Sequence, residues 1–159
     1  MERKLTASLE DYLEAILKIR DEKGIVRVKD IAKALNVKTS SVVSAIKSLT
    51  DKGLVNHEHY GYTKLTREGE QVAEEVYRRH KILYKLLSEV LKIPYEIAEN
   101  DACAMEHHLS KETLERITKL IGFITACHLD KPIWLENLHY FIKENKMPDK
   151  CKLCEGAEK

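Results

Sequence analysis

Helix breakers are scarce in this chain, and their spacing cuts it into helix-length pieces. Six glycines and three prolines interrupt 159 residues. Proline removes a backbone donor, and glycine weakens a helix interior by about 1 kcal/mol, so segments lacking both are free to stay helical. The apolar residues between the breakers recur with helical period. Ser8 offers an N-cap, Leu9, Tyr12, Leu13, Ile16, Leu17 and Ile19 form a stripe, and Gly24 stops a helix expected over residues 8–22.

A shorter helix is expected at Asp30–Leu35, with Ile31, Ala34 and Leu35 on one face and Asn36-Val37-Lys38 as the turn. Thr39 or Ser40 then caps a third helix. Val42, Ala45, Ile46 and Leu49 face its core side, Ser40, Ser44 and Lys47 lie opposite, and Gly53 ends it. Two short helices around a tight turn form a helix-turn-helix, whose second helix can enter the major groove. Leu54–Tyr60 and Tyr62–Thr66 read as two strands around Gly61, the hairpin wing of a winged helix. The residues expected to face DNA are Lys38, Thr39, Ser40, Ser41, Ser44 and Lys47 on the third helix, with Tyr60, Tyr62 and Lys64 on the wing.

A long helix is expected from Thr66 to about Leu91, another from Pro94 to about Leu109, and a further one from Ser110 through Thr113 to Phe123. The fold class is therefore mainly α, an N-terminal winged helix-turn-helix followed by a helical dimerisation domain. The expected organisation is 1–70 for DNA binding, 71–145 for metal binding and dimerisation, and 146–159 as a tail. Leu83, Leu86, Leu87, Val90, Leu114, Ile117, Leu120 and Ile121 are the expected source of an isologous apolar interface.

The net charge is +1, so contact with nucleic acid has to come from a local surface and not from global attraction. An apolar share of 43% with 33% charged residues describes a globular chain and excludes disordered and collagen-like classes. No stretch approaches the roughly 18 apolar residues of a membrane span, and Met1-Glu-Arg-Lys4 opens without an apolar leader core. The expected location is the cytoplasm, with no membrane partner. In that reducing setting the four cysteines point to thiolate chemistry over disulfides.

Cys103, Glu106 and His107 are spaced i, i+3 and i+4, which puts a thiolate, a carboxylate and an imidazole on one helix face. These are suitable ligands for a first-row divalent metal. Asp11 and Glu14 are spaced i, i+3 on the first helix, and His80 lies on the long linking helix. If those helices converge, six ligands become available. Cys151 and Cys154 form a C-x-x-C that could join Cys127 or His128 in a second, thiolate-rich zinc or iron-sulfur site. Nothing resembling an oxyanion hole or a phosphate loop accompanies these groups, so neither an enzyme nor a small-molecule substrate is expected.

Several segments together resemble the diphtheria-toxin-repressor family of iron- and manganese-dependent bacterial regulators, especially its two-domain manganese-transport-regulator branch. They are Glu10-Asp-Tyr-Leu-Glu14, Val28-Lys-Asp-Ile-Ala32, Ser40-Ser-Val42, Leu65-Thr66 with Gly69, Arg79-His80 and Glu106-His-His-Leu-Ser110. The resemblance covers roughly residues 5–125. It implies a homodimer that grips a palindromic DNA operator when metal is abundant and so represses metal-homeostasis genes. It also implies that Asp11, Glu14, His80, Cys103, Glu106 and His107 are metal ligands. The implied ion is Mn²⁺ or Fe²⁺, with Zn²⁺ or Co²⁺ able to bind in vitro. Asp11 and Glu14 are of the manganese type, whereas Cys103 is of the iron type. Glu99 matches an accessory ligand position of the iron branch, but Tyr84 stands where another such ligand would be. The extra C-terminal domain of the larger iron sensors is not expected. The competing reading is a winged-helix regulator with a cysteine redox or other metal-independent switch.

Overall fold

A computed structural model of the chain describes residues 5–57, 61–126 and 132–148. It is mainly helical and divides into two compact units, Met1–Arg78 and Arg79–Lys159.

The first unit begins with α1 (Ala7–Lys23), α2 (Val28–Ala34) and α3 (Thr39–Asp51). The cap of α1 is Thr6, whose Oγ1 accepts from the Leu9 amide, so Ser8 lies inside the helix. α3 likewise starts one or two positions earlier than expected. Its N-cap is Lys38, without a side-chain cap bond, and Thr39 and Ser40 are already helical. At the other end Gly53 takes a left-handed φ of 74°. The Gly53 amide bonds the Thr50 carbonyl and the Leu54 amide the Leu49 carbonyl, a Schellman closure that only a residue without Cβ enters freely.

The wing is an antiparallel pair, β1 (Val55–His57) and β2 (Thr63–Leu65), in register Val55↔Leu65, Asn56↔Lys64 and His57↔Thr63. β2 is shorter than the run expected from sequence, β1 starts one residue later than expected, and residues 58–60, with Tyr60, lie outside the described residues. Pairing of Arg27 with Tyr62 and a bond from the Thr63 amide to the Val26 carbonyl tie the wing to the segment before α2.

The next helix, α4 (Arg67–Lys85), begins on Thr66. The Thr66 hydroxyl donates to the Gly53 carbonyl and accepts from the Gly69 amide, so one side chain caps α4 and fastens it to the end of α3. A Cβ on Gly69 would collide with the Leu54 carbonyl, which explains a glycine in a first helical turn. The core of this unit packs Tyr12, Leu13, Ile16, Ile31, Val42, Ile46, Leu49, Val55 and Ala73 together. At its edge Arg20 bonds Asp21 and reaches Glu70 at 2.6 Å. Hydrogen bonds to Asp21 and then Glu70 hold its guanidinium pKa above the usual arginine value.

In the second unit α4 does not run to Leu91. It gives way at Leu86–Val90 to a π-helical turn, with the Leu91 amide bonded to the Leu86 carbonyl. Pro94 is the N-cap of α5 (Tyr95–Glu106), which ends three residues before the expected Leu109. Ser110 caps α6 (Lys111–Ala126) by accepting from the Thr113 amide. The sequence reading did not foresee α7 (Ile133–Glu144). Two apolar clusters form here, one of Leu83, Leu87, Ala98, Ala102 and Leu114, the other of Val90, Ile121 and Leu135. Most of the residues expected at a dimer interface are therefore spent inside the unit. Leu120 remains exposed, as do Phe123, Tyr140, Phe141 and Ile142. No helix among the described residues is long and apolar enough to cross a membrane.

Candidate metal centre and nucleic-acid face

Glu106 is the last residue of α5, and its side chain is completely buried. Burying a carboxylate is costly unless it is paired, and a helix C-terminus adds partial negative charge from unsatisfied carbonyls. Two imidazoles answer that charge. His80 of α4 brings Nδ1 to 3.1 Å from Glu106 Oε2, and His107, the C-cap of α5, brings Nε2 to 3.3 Å from Oε1. Both rings are themselves only 7% exposed. Cys103, one turn before Glu106, is half-buried. One donor atom from each of Cys103, Glu106 and His107 falls within 4.8 Å of the others. The spacing read from sequence thus produces a real convergence of sulfur, oxygen and nitrogen.

That donor set fits a divalent transition ion. A thiolate, a carboxylate and an imidazole are ligands for Fe²⁺, Co²⁺, Zn²⁺ and, through oxygen and nitrogen, Mn²⁺. A cation at the negative end of α5 would also relieve the burial of Glu106. His80 supports the same conclusion. Its Nε2 is 3.1 Å from Glu99 Oε1 while its Nδ1 faces Glu106. A neutral imidazole has one N–H, so one of these two approaches sets a lone pair against a carboxylate oxygen unless a cation or proton intervenes.

Asp11 and Glu14 both lie on α1, Asp11 half-buried and Glu14 buried, with Lys18 Nζ 3.0 Å from Glu14 Oε1. Lys18 in turn lies 5.2 Å from the Tyr77 ring centroid. Glu99 sits on the Cys103 face of α5, and its contact with His80 depends on how α4 packs against α5, which spacing along one helix does not reveal. Cys127, His128, Cys151 and Cys154 lie outside the described residues.

On the first unit, α3 turns Val42, Ala45, Ile46 and Leu49 inward and leaves Lys38, Thr39, Ser40, Ser41, Ser44 and Lys47 exposed. Lys64 is exposed on the wing, and Tyr62 is half-buried beneath the Arg27 guanidinium, 5.6 Å from its ring centroid. The sequence reading passed over Val43. This residue is 56% exposed beside Lys47 and lines a pocket of about 250 Å³ with Val28, Ile46, Lys47, Thr50 and Asp51.

Residues 4–62 match the model of the iron-dependent repressor N-terminal DNA-binding domain, and residues 66–135 match that of the iron-dependent repressor metal-binding and dimerisation domain. Among solved structures, T. acidophilum IdeR is 32% identical with a TM-score of 0.66, over 76% of this chain and 55% of that one. The manganese regulator SloR is 29% identical with a TM-score of 0.65, over 75% and 55%. A manganese-dependent transcriptional repressor in complex with manganese is 29% identical with a TM-score of 0.66, over 72% and 53%. The chain therefore spans little more than half the length of these solved relatives. Two consecutive domain models, matched in order, share one family, and the chain belongs to it: the iron-dependent repressor family.

Proposed function

We propose that this chain is a metal-dependent transcriptional repressor that binds a palindromic DNA operator as a homodimer and controls metal-homeostasis genes. The observation that carries the reading is the convergence of Cys103, His80 and His107 on the buried Glu106 carboxylate, in a chain whose other unit is a winged helix. In this proposal His80, Cys103, Glu106 and His107 are ligands, joined by Asp11 and Glu14 of α1. Their support is the position-by-position resemblance and, for Glu14, the burial of a carboxylate. When bound, a divalent ion would supply coordination bonds to these side chains, and Asp11 and Glu14 would make its binding felt at α1. Metal then raises operator affinity by as much as it favours the arrangement competent for DNA.

The physiological ion in this reading is Fe²⁺ or Mn²⁺. Cys103 shifts preference toward Fe²⁺, because a thiolate suits softer ions than Mn²⁺, while Zn²⁺ and Co²⁺ bind in vitro. Two-fold symmetry of a homodimer matches a palindromic site. Short hydroxyl side chains on α3 make few bidentate base contacts, so operator choice rests largely on DNA shape and thymine methyl contacts. The role is regulatory and not enzymatic. Cys103, the described cysteine, lies among metal donors, which favours a ligand over a redox switch.

The test is selection from a random duplex pool by the metal-free protein supplemented with buffered Mn²⁺, Fe²⁺, Co²⁺ or Zn²⁺ in the absence of oxygen. Metal-dependent enrichment of a two-fold symmetric sequence, reversed by chelator, is expected. Enrichment that ignores chelator and responds to oxidant would replace this reading with a thiol switch.

A further inference from the structure

His80 is held from both sides, and the two sides are not equivalent. Toward Nδ1 lies Glu106, whose side chain is completely buried and whose neighbours Cys103 and His107 complete a set of converging donors. Toward Nε2 lies Glu99, with a side chain 39% exposed. Glu99 precedes Cys103 by four residues and Glu106 by seven, so all three share the face of α5 that meets His80. Yet among the described residues Glu99 belongs to no group of three or more donors able to hold a metal ion. One turn after His80 on α4 stands Tyr84, whose ring packs edge-on against Tyr95, with centroids 5.8 Å apart and planes at 72°. Glu99 therefore meets His80 from outside the converging donor set of Cys103, Glu106 and His107.

We propose that Glu99 is a positioning residue for His80. Its carboxylate accepts the Nε2 proton, fixes the ring between α4 and α5, and leaves the Nδ1 lone pair directed toward the Glu106 side, where a cation would be held. A ligating imidazole whose second nitrogen donates to a carboxylate is the usual outer-shell arrangement at metal sites, and its loss costs about 10- to 100-fold in metal affinity. The inference rests on the reading of Glu106, Cys103 and His107 as metal ligands. It assigns Glu99 to the support of one ion and not to the coordination of a second.

Two readouts on the full chain test it. In the protein loaded with diamagnetic Zn²⁺, long-range ¹H–¹⁵N correlation of the histidine rings reports which nitrogen of His80 carries the proton, with the His80 signals assigned by their loss in His80→Gln. The wild type is expected to show the Nε2–H form, Glu99→Gln to retain it because an amide oxygen still accepts, and Glu99→Ala to show a mixture. Titration with Co²⁺ is then expected to give the same stoichiometry in wild type and Glu99→Ala, with affinity about 10- to 100-fold weaker in the alanine variant. Unchanged thermal midpoints of the metal-free variants check that the fold is intact. Loss of one equivalent of bound Co²⁺ in Glu99→Ala would make Glu99 a direct ligand and overturn the proposal. An Nδ1–H form in the wild type, or an unaltered affinity in Glu99→Ala, would overturn it as well. A wild-type chain that binds no Co²⁺ would instead overturn the metal reading itself, and the proposal with it.

Discussion

The first unit buries Leu13, Ile16, Ile31, Val42, Leu49 and Val55 completely around one apolar core and presents a polar helix face outward. The unit from Arg79 onward divides its apolar side chains between two smaller clusters, buries His80 and Glu106, and leaves Phe123, Tyr140, Phe141 and Ile142 exposed. The contrast teaches where each unit finds its stability. A single apolar core is stabilised by its own packing. A buried carboxylate ringed by imidazoles is stabilised further by a cation, and large exposed apolar side chains are stabilised by a covering surface. The DNA-reading unit should therefore respond to core mutation, and the second unit to metal and to self-association.

The largest effect should come from breaking the apolar core of the first unit. Leu49→Ala removes a fully buried side chain of α3 and should cost about 2–5 kcal/mol in urea unfolding of the metal-free protein. A negligible cost would mean that the first unit does not rest on that core. Next comes linkage to the ion. Free Co²⁺ at about 100 times its dissociation constant should stabilise the wild type by about 2.7 kcal/mol. In Glu106→Gln that gain should vanish, and a gain that persisted would place the ion elsewhere.

The same contrast decides what was legible in the sequence. The first unit could be read because Val42, Ala45, Ile46 and Leu49 fall inside and the hydroxyl residues outside, with Val43 an exposed exception, so period and burial largely agree. Its boundaries were less legible, since Thr6 and Ser8 are both competent caps and only the backbone path selects Thr6. In the second unit, Cys103, Glu106 and His107 were found because ligand spacing is local to one helix. α7 was missed although Trp134, Leu135, Leu138, Phe141 and Ile142 recur with helical period behind Pro132, a signal the sequence carries but that went unused. The π-helical turn at Leu86–Val90 carries no sequence mark that we can name. The grip of Glu99 on His80 is set by packing between helices, which periodicity along one helix does not encode.

Smaller effects sharpen the comparison. Ser110→Ala removes the cap of α6 and should cost about 1 kcal/mol in thermal or urea unfolding. A negligible cost would show that tertiary packing alone holds that helix start. Phe123 is 69% exposed, so Phe123→Ser should change the stability of the fold by less than about 0.5 kcal/mol. It should nevertheless shift sedimentation toward monomer. A drop in stability without a change in assembly would return Phe123 to an internal role.

The central claim is that Cys103, Glu106 and His107 form a metal centre, and the thiolate is its most visible member. Co²⁺ added to the metal-free protein without oxygen should produce a thiolate-to-metal charge-transfer band that disappears in Cys103→Ser and survives Cys151→Ser and Cys154→Ser. A band that survives Cys103→Ser and depends on Cys151 or Cys154 would place the principal thiolate site in the C-terminal tail and contradict the account.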